Sequence, residues 1–86
     1  MSQNNRLQLY GAGWCLKSSN LSNYLQSIFV DFDFHNVETD PEAEAAVRQL
    51  YDGALKFPTV VYGDHFLKNP KIPELRRFLE EHQLLS

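Results

Sequence analysis

The sequence contains a single cysteine, Cys15, among 86 residues. No internal disulfide can form, so the chain has neither a disulfide framework nor a resolving thiol of its own. Any disulfide it makes joins it to a small thiol or to another protein. No apolar run approaches the roughly 20 residues that a membrane helix requires. The first residues, Met-Ser-Gln-Asn-Asn, lack the basic-then-apolar pattern of a secretory signal. The expectation is a cytoplasmic protein that does not engage a membrane. Basic residues interleaved with aromatics are missing too, and the net charge is −3, so nucleic acid is not an expected partner. The three histidines, His35, His65 and His82, share no ligand spacing, and no metal site is expected even with Cys15 counted. Repeats, linkers and low-complexity tracts are absent. Residues 1–86 therefore read as one domain, of a size that buries about 60% of its unfolded surface.

What is present is a succession of local signals. Residues 1–5 are polar and expected to fray. Leu7 and Leu9 alternate with Arg6, Gln8 and Tyr10, as a short strand does. Gly11 and Gly13 break the alternation. From Leu16 the period becomes helical, with Leu21, Tyr24, Leu25 and Ile28 on one face. Val30–Val37 reads as a second strand, with Phe29, Phe32 and Phe34 assigned to the core and Asp31 and Asp33 to a solvated face. Asp40-Pro41-Glu42 is a helix start: a cap, a residue suited to the first turn, and an acid that favours the dipole. Ala43, Ala46, Val47, Leu50 and Tyr51 form its expected buried stripe, and Gly53 is placed to end it. Val60-Val61-Tyr62 and His65-Phe66-Leu67 flank Gly63-Asp64, a two-residue hairpin of the glycine-first kind. Ile72, Leu75, Phe78 and Leu79 define a last amphipathic helix. The order is β-α-β-α-β-β-α. A right-handed first crossover makes the first two strands parallel, and the hairpin adds an antiparallel pair. The fold class is α/β, a four-stranded mixed sheet flanked by three helices on its two faces.

Cys15 falls where the first strand hands over to the first helix. A thiol there sits near free backbone N–H groups and the positive end of the helix dipole, conditions that stabilise a thiolate. The bland alternative is a buried, inert cysteine. Ser18, one turn later, either donates to the thiolate or bonds to nearby backbone.

A strand, then Trp14-Cys15-Leu16-Lys17-Ser18, a helix, and later Phe57-Pro58-Thr59-Val60 before a hairpin and a final helix resemble the glutaredoxins of the thioredoxin-like fold. The similarity extends from about Leu7 to about Leu84 and includes the small bacterial glutaredoxin-like proteins, the mycoredoxins of actinobacteria among them. It implies that Cys15 is the nucleophile and Trp14 the aromatic that often precedes it. It also implies that Pro58 is the cis-proline facing the thiol, and that Phe57 pairs through its backbone with a substrate. Placed in that fold, Lys17 and Lys56 both lie near the thiol, where each either lowers its pKa and attracts a carboxylate or is simply solvated. Thr59 joins Trp14, Lys56, Phe57 and Pro58 in shaping a docking groove, with Lys17 and Ser18 tuning the thiolate.

The chain also departs from the family pattern. Ser18 stands where dithiol members have a second cysteine, and Leu16-Lys17 replaces the usual Pro-Tyr or Gly-Tyr. Phe66–Pro70 carries none of the Gly-Gly and Ser-Asp or Thr-Asp elements that hold glutathione. The Cys-Gly-Phe-Ser signature of cluster-binding members is missing, and Leu16 and Lys17 crowd the space of an iron–sulfur cluster, so none is expected. The reading that follows is a monomeric thiol–disulfide oxidoreductase working through one cysteine. It holds no tightly bound cofactor, takes glutathione or another low-molecular-weight thiol as co-substrate, and acts on thiolated proteins. The competing reading is a non-catalytic thioredoxin-fold binding module whose Cys15 is a redox-sensitive latch.

Overall fold

The computed structural model describes residues 6–84; the expectation of fraying at residues 1–5 lies outside them. The elements follow the predicted order: β1 (Leu7–Gly11), α1 (Leu16–Ser27), β2 (Phe32–Asn36), α2 (Pro41–Leu50), β3 (Thr59–Tyr62), β4 (His65–Lys68) and α3 (Ile72–Glu81). The sheet order is β2-β1-β3-β4. β1 runs parallel to β2, with Leu7 opposite Phe32 and Leu9 opposite Phe34. It runs antiparallel to β3, with Leu9 opposite Val60 and Tyr10 opposite Thr59. β3 and β4 form the hairpin, closed by Tyr62 opposite His65.

The two-residue period of β1 sends Leu7 and Leu9 to one face and Gln8 and Tyr10 to the other. On the first face Leu7, Leu9 and Val60 pack against Leu21 and Leu25 of α1 and Leu75, Phe78 and Leu79 of α3. On the second, α2 lays Ala43 and Val47 beside Val37, with Tyr10, Tyr51, Leu55 and Phe57 around them. Asp40 caps α2 as its sequence position predicts, its Oδ1 accepting from the N–H of Glu42 at 3.0 Å and of Ala43 at 3.4 Å. The rest of the second face is polar. Asp33 accepts from both Arg6 and Gln8, and the His35 ring stacks on Tyr10. Asp33 is therefore ion-paired at the strand edge rather than only solvated.

Four apolar assignments are corrected. Phe34 is 42% exposed, because β2 is an edge strand with one flank uncovered. Leu50, at the last turn of α2, is also exposed, and Ala46 is half-buried. Phe29 is 93% exposed and has φ of 60°. It follows the C-cap of α1, where the Phe29 N–H reaches the Gln26 carbonyl and the Val30 N–H the Leu25 carbonyl. That paired closure requires a left-handed residue, a conformation that favours glycine and costs an L side chain roughly 1–2 kcal/mol. Phe29→Gly should raise stability by about 1 kcal/mol, read as a higher denaturation midpoint in urea.

Candidate functional site

Topology gathers the site. β1 and β2 are parallel and β3 is antiparallel to both, so the end of β1, the end of β2 and the start of β3 lie at one edge of the sheet. The end of β4 lies there too. Four connections meet at that edge: Ala12–Cys15, Val37–Asp40, the stretch ending in Pro58, and Asn69–Lys71. Contacts between them are direct. The Asn69 N–H donates to the Pro58 carbonyl at 2.8 Å, and the Val37 N–H to the Gly11 carbonyl at 2.9 Å. The Trp14 ring meets the Phe57 ring edge-on at 5.9 Å.

Cys15 is the N-cap of α1, extended at φ −79° and ψ 117°. Its own N–H donates to the Ala12 carbonyl, and its carbonyl accepts from Ser19, so both ends of the residue are held. The side chain is half-buried. It makes no capping hydrogen bond by strict geometry, yet the first-turn amides act on it. Burial pushes the thiol up. The Ser18 hydroxyl, the N–H groups of Ser18 and Lys17 and the Lys17 ammonium together outweigh it, so the thiol lies below the ordinary cysteine value.

Ser18 is fully buried, and its Oγ accepts the Ala12 N–H at 3.3 Å. It fits because Gly11 has no side chain: a Cβ there would overlap the Ser18 Oγ and come within 2.7 Å of its Cβ. The pair brings the first turn of α1 onto the end of β1, which fixes where Cys15 stands. The Ser18 oxygen accepts from backbone, and its hydroxyl is one of the contributions that lower the thiol.

The other predicted residues are placed unevenly. The Phe57–Pro58 bond is cis and Pro58 is buried. Phe57 is half-buried against the α2 side of the core. Thr59 is fully buried, its Oγ1 bonded to the Lys56 carbonyl at 3.0 Å and the Tyr51 hydroxyl at 2.8 Å. It can hold the turn in place but offers no free hydroxyl to a ligand. Of the two lysines, Lys17 acts on the thiol, whereas the Lys56 ammonium lies 5.7 Å over the Tyr51 ring. Lys17 also lines a cavity of about 270 Å³ with Asn20, Asn69, Pro70 and Lys71. Trp14 is 70% exposed, and its Nε1–H donates to Glu38 Oε1 at 2.6 Å. Sequence reasoning did not single out Glu38 and placed Tyr51 only in the buried stripe of α2; each is joined to the site by a contact that no local pattern encodes. Among the described residues no group of three or more His, Cys, Asp or Glu side chains could hold a metal ion, and no helix is long and apolar enough to cross a membrane.

A four-stranded mixed sheet with this strand order, flanked by three helices, is the thioredoxin-like fold. Solved structures share it. The thioredoxin-like protein BC3987 superposes with a TM-score of 0.77 at 22% identity, over 86% of this chain and all of its own. Glutaredoxin from Archaeoglobus fulgidus gives 0.72 at 18%, over 91% and 96% of the two chains. A buckwheat glutaredoxin–glutathione complex gives 0.69 at 16%, over 95% and 83%. No curated protein sequence matches the chain. The glutaredoxin sequence profile matches residues 7–67, and the chain belongs to the glutaredoxin family.

Proposed function

We propose that this protein is a monothiol thiol–disulfide oxidoreductase. It acts as a cytoplasmic monomer and removes a low-molecular-weight thiol, glutathione or another, from mixed disulfides on proteins. The observation that carries this reading is the Cys15 thiol, lowered and half-buried at the start of α1, at the sheet edge that also holds the cis Phe57–Pro58 turn. Family membership supports thiol–disulfide exchange as the chemistry.

In the first step the Cys15 thiolate attacks the small-thiol sulfur of the mixed disulfide. The old S–S bond breaks, the protein sulfur leaves with the electron pair and takes a proton from water, and Cys15 now carries the small thiol. A second small-thiol thiolate attacks that same sulfur. It leaves as the symmetric disulfide and returns Cys15 as thiolate. One cysteine suffices, and the co-reactant is the second small thiol. Lys17 and the first-turn amides stabilise Cys15 as attacking and leaving group. The turn at Phe57 and Pro58 supplies backbone polar groups against which an extended substrate can pair.

The test is turnover of a thiolated protein with glutathione and then with other small thiols as reductant. The expected result is one small-thiol adduct per chain, located on Cys15 by mass spectrometry and discharged by excess thiol, with no adduct on Cys15→Ser. A Cys15 that accepts no small thiol from any mixed disulfide would overturn the reading in favour of a non-catalytic binding module.

A further inference from the structure

We propose that Glu38 is a specificity-determining residue of the exchange site. It fixes Trp14 beside the thiol and sets a negative charge on the β2 flank, so that the small thiol accepted there turns a neutral or cationic group, not a carboxylate, toward that flank. The inference rests on the thiol-exchange reading above and narrows its substrate class.

Glu38 belongs to the connection between β2 and α2. Its N–H donates to Asn36 Oδ1 at 2.9 Å, which holds the backbone of the turn. Its carboxylate accepts the Trp14 indole N–H at 2.6 Å, a short, charge-assisted bond. Trp14 is the residue before Cys15, and at 70% exposure little packing restrains it. The Glu38 carboxylate at one point and the edge of Phe57 at another define where the indole stands. The indole stands on the β2 side of the site, with an anion at its outer end.

Among the described residues no cation pairs with that anion. The ion pairs among the described residues join Arg6 to Asp33, Arg48 to Glu44 and Arg76 to Glu80, and none includes Glu38. The opposite flank has the other sign: Lys17 and Lys71 line the cavity between the starts of α1 and α3. The strand order puts the β1–α1 connection between the loop that follows β2 and the loop that follows β4. Cys15 therefore sits between a carboxylate on one side and ammonium groups on the other. In partly screened solvent, one unit charge flanking the site changes the encounter of a charged reagent by about two- to tenfold.

The full-length chain is treated with three methanethiosulfonates whose transferred groups are aminoethylthio (cationic), methylthio (neutral) and sulfonatoethylthio (anionic). In each case the Cys15 thiolate attacks the sulfenyl sulfur, the new disulfide forms, the S–SO2 bond breaks and methanesulfinate leaves with the electron pair. These reactions need no turnover. Glu38→Gln keeps an oxygen for the Trp14 indole and removes the charge. It should lower the cation-to-anion rate ratio by about two- to tenfold, with tryptophan fluorescence unchanged. Added salt should lower the wild-type ratio in the same sense. Lys17→Gln should raise the ratio. Glu38→Ala should lower it and also shift the emission of Trp14, the single tryptophan. An unchanged ratio in Glu38→Gln overturns the proposal. Failure of the wild type to react with all three reagents instead overturns the exchange reading on which it rests.

Discussion

Gly11→Ala is expected to destabilise the protein by about 2–3 kcal/mol and to lower its Tm by roughly 10–20 °C. The cause is space, not backbone conformation, since Gly11 is not among the residues with positive φ. A Cβ at residue 11 would overlap the Ser18 Oγ and lie 2.7 Å from its Cβ, with the Phe34 ring at 3.4 Å. Ser18 could rotate its hydroxyl away, but its Cβ is fixed by the helix, so α1 would have to lift from the end of β1. That movement carries Cys15 with it and breaks the bond from the Ala12 N–H to Ser18. Exchange activity should fall together with stability. Ser18→Gly removes both obstructing atoms. Alone it costs about 1 kcal/mol, as glycine does inside a helix, and more for the orphaned Ala12 N–H. In combination the two changes should be less damaging than their sum, with a favourable coupling of about 1–2 kcal/mol in a urea-denaturation cycle. Strict additivity would show that the two residues do not share one space.

The fold was legible where a short stretch carries its own cause. Leu7 and Leu9 alternate with Gln8 and Tyr10 because one face of β1 is buried in the main core and the other is only partly covered. Asp40-Pro41 starts α2 because a carboxylate and a residue without an N–H both suit the first turn. Gly63-Asp64 closes the hairpin, with Gly63 at φ 60° and Asp64 not at positive φ, as a glycine-first turn requires. The failures share a different cause. Phe34 has the pattern of a core residue, and only the place of β2 at the sheet edge exposes it. Phe29 reads as core beside the second strand, but the closure of α1 turns it outward. An alternation pattern tells which residues share a face, not whether anything covers that face.

The site divides in the same way. Cys15 could be placed at the head of a helix from the change of period alone, and Trp14, Phe57 and Pro58 by resemblance. The bond from Trp14 to Glu38 spans 24 positions, and nothing around Val37-Glu38-Thr39 marks it. In the sequence Lys56 and Lys17 are equivalent charges near the thiol. The difference is that Lys17 lies in the first turn of α1, whereas Lys56 is drawn over Tyr51. Short-range order placed the nucleophile, and pairings between distant loops set its surroundings.

The rate at which iodoacetamide alkylates Cys15 should rise with pH through a midpoint below that of an ordinary cysteine, and Ser18→Ala should move that midpoint upward. Burial works against the thiolate at this position; the Ser18 hydroxyl is the largest of the contributions that overcome it, followed by the amides of Ser18 and Lys17 and the Lys17 charge. The hydroxyl has one proton to give. Because its oxygen already accepts from the Ala12 N–H, that proton is free to point at sulfur. Removing the hydroxyl leaves burial less opposed, and alkylation at neutral pH should slow by roughly tenfold or more, the worth of one hydrogen bond to a charged group. Lys17→Gln should move the midpoint in the same direction by less, and only that smaller shift should shrink in high salt. The same imbalance acts on folding. The folded state lowers the thiol, so the stability it gains is fully present above the unfolded-state value and is lost as pH falls through the folded one. Relative to Cys15→Ser, the wild type should therefore gain stability as pH rises between those two values and gain nothing further above them. A stability difference that stays flat across that window would mean the fold does not favour the thiolate, whatever rate the alkylating reagent reports.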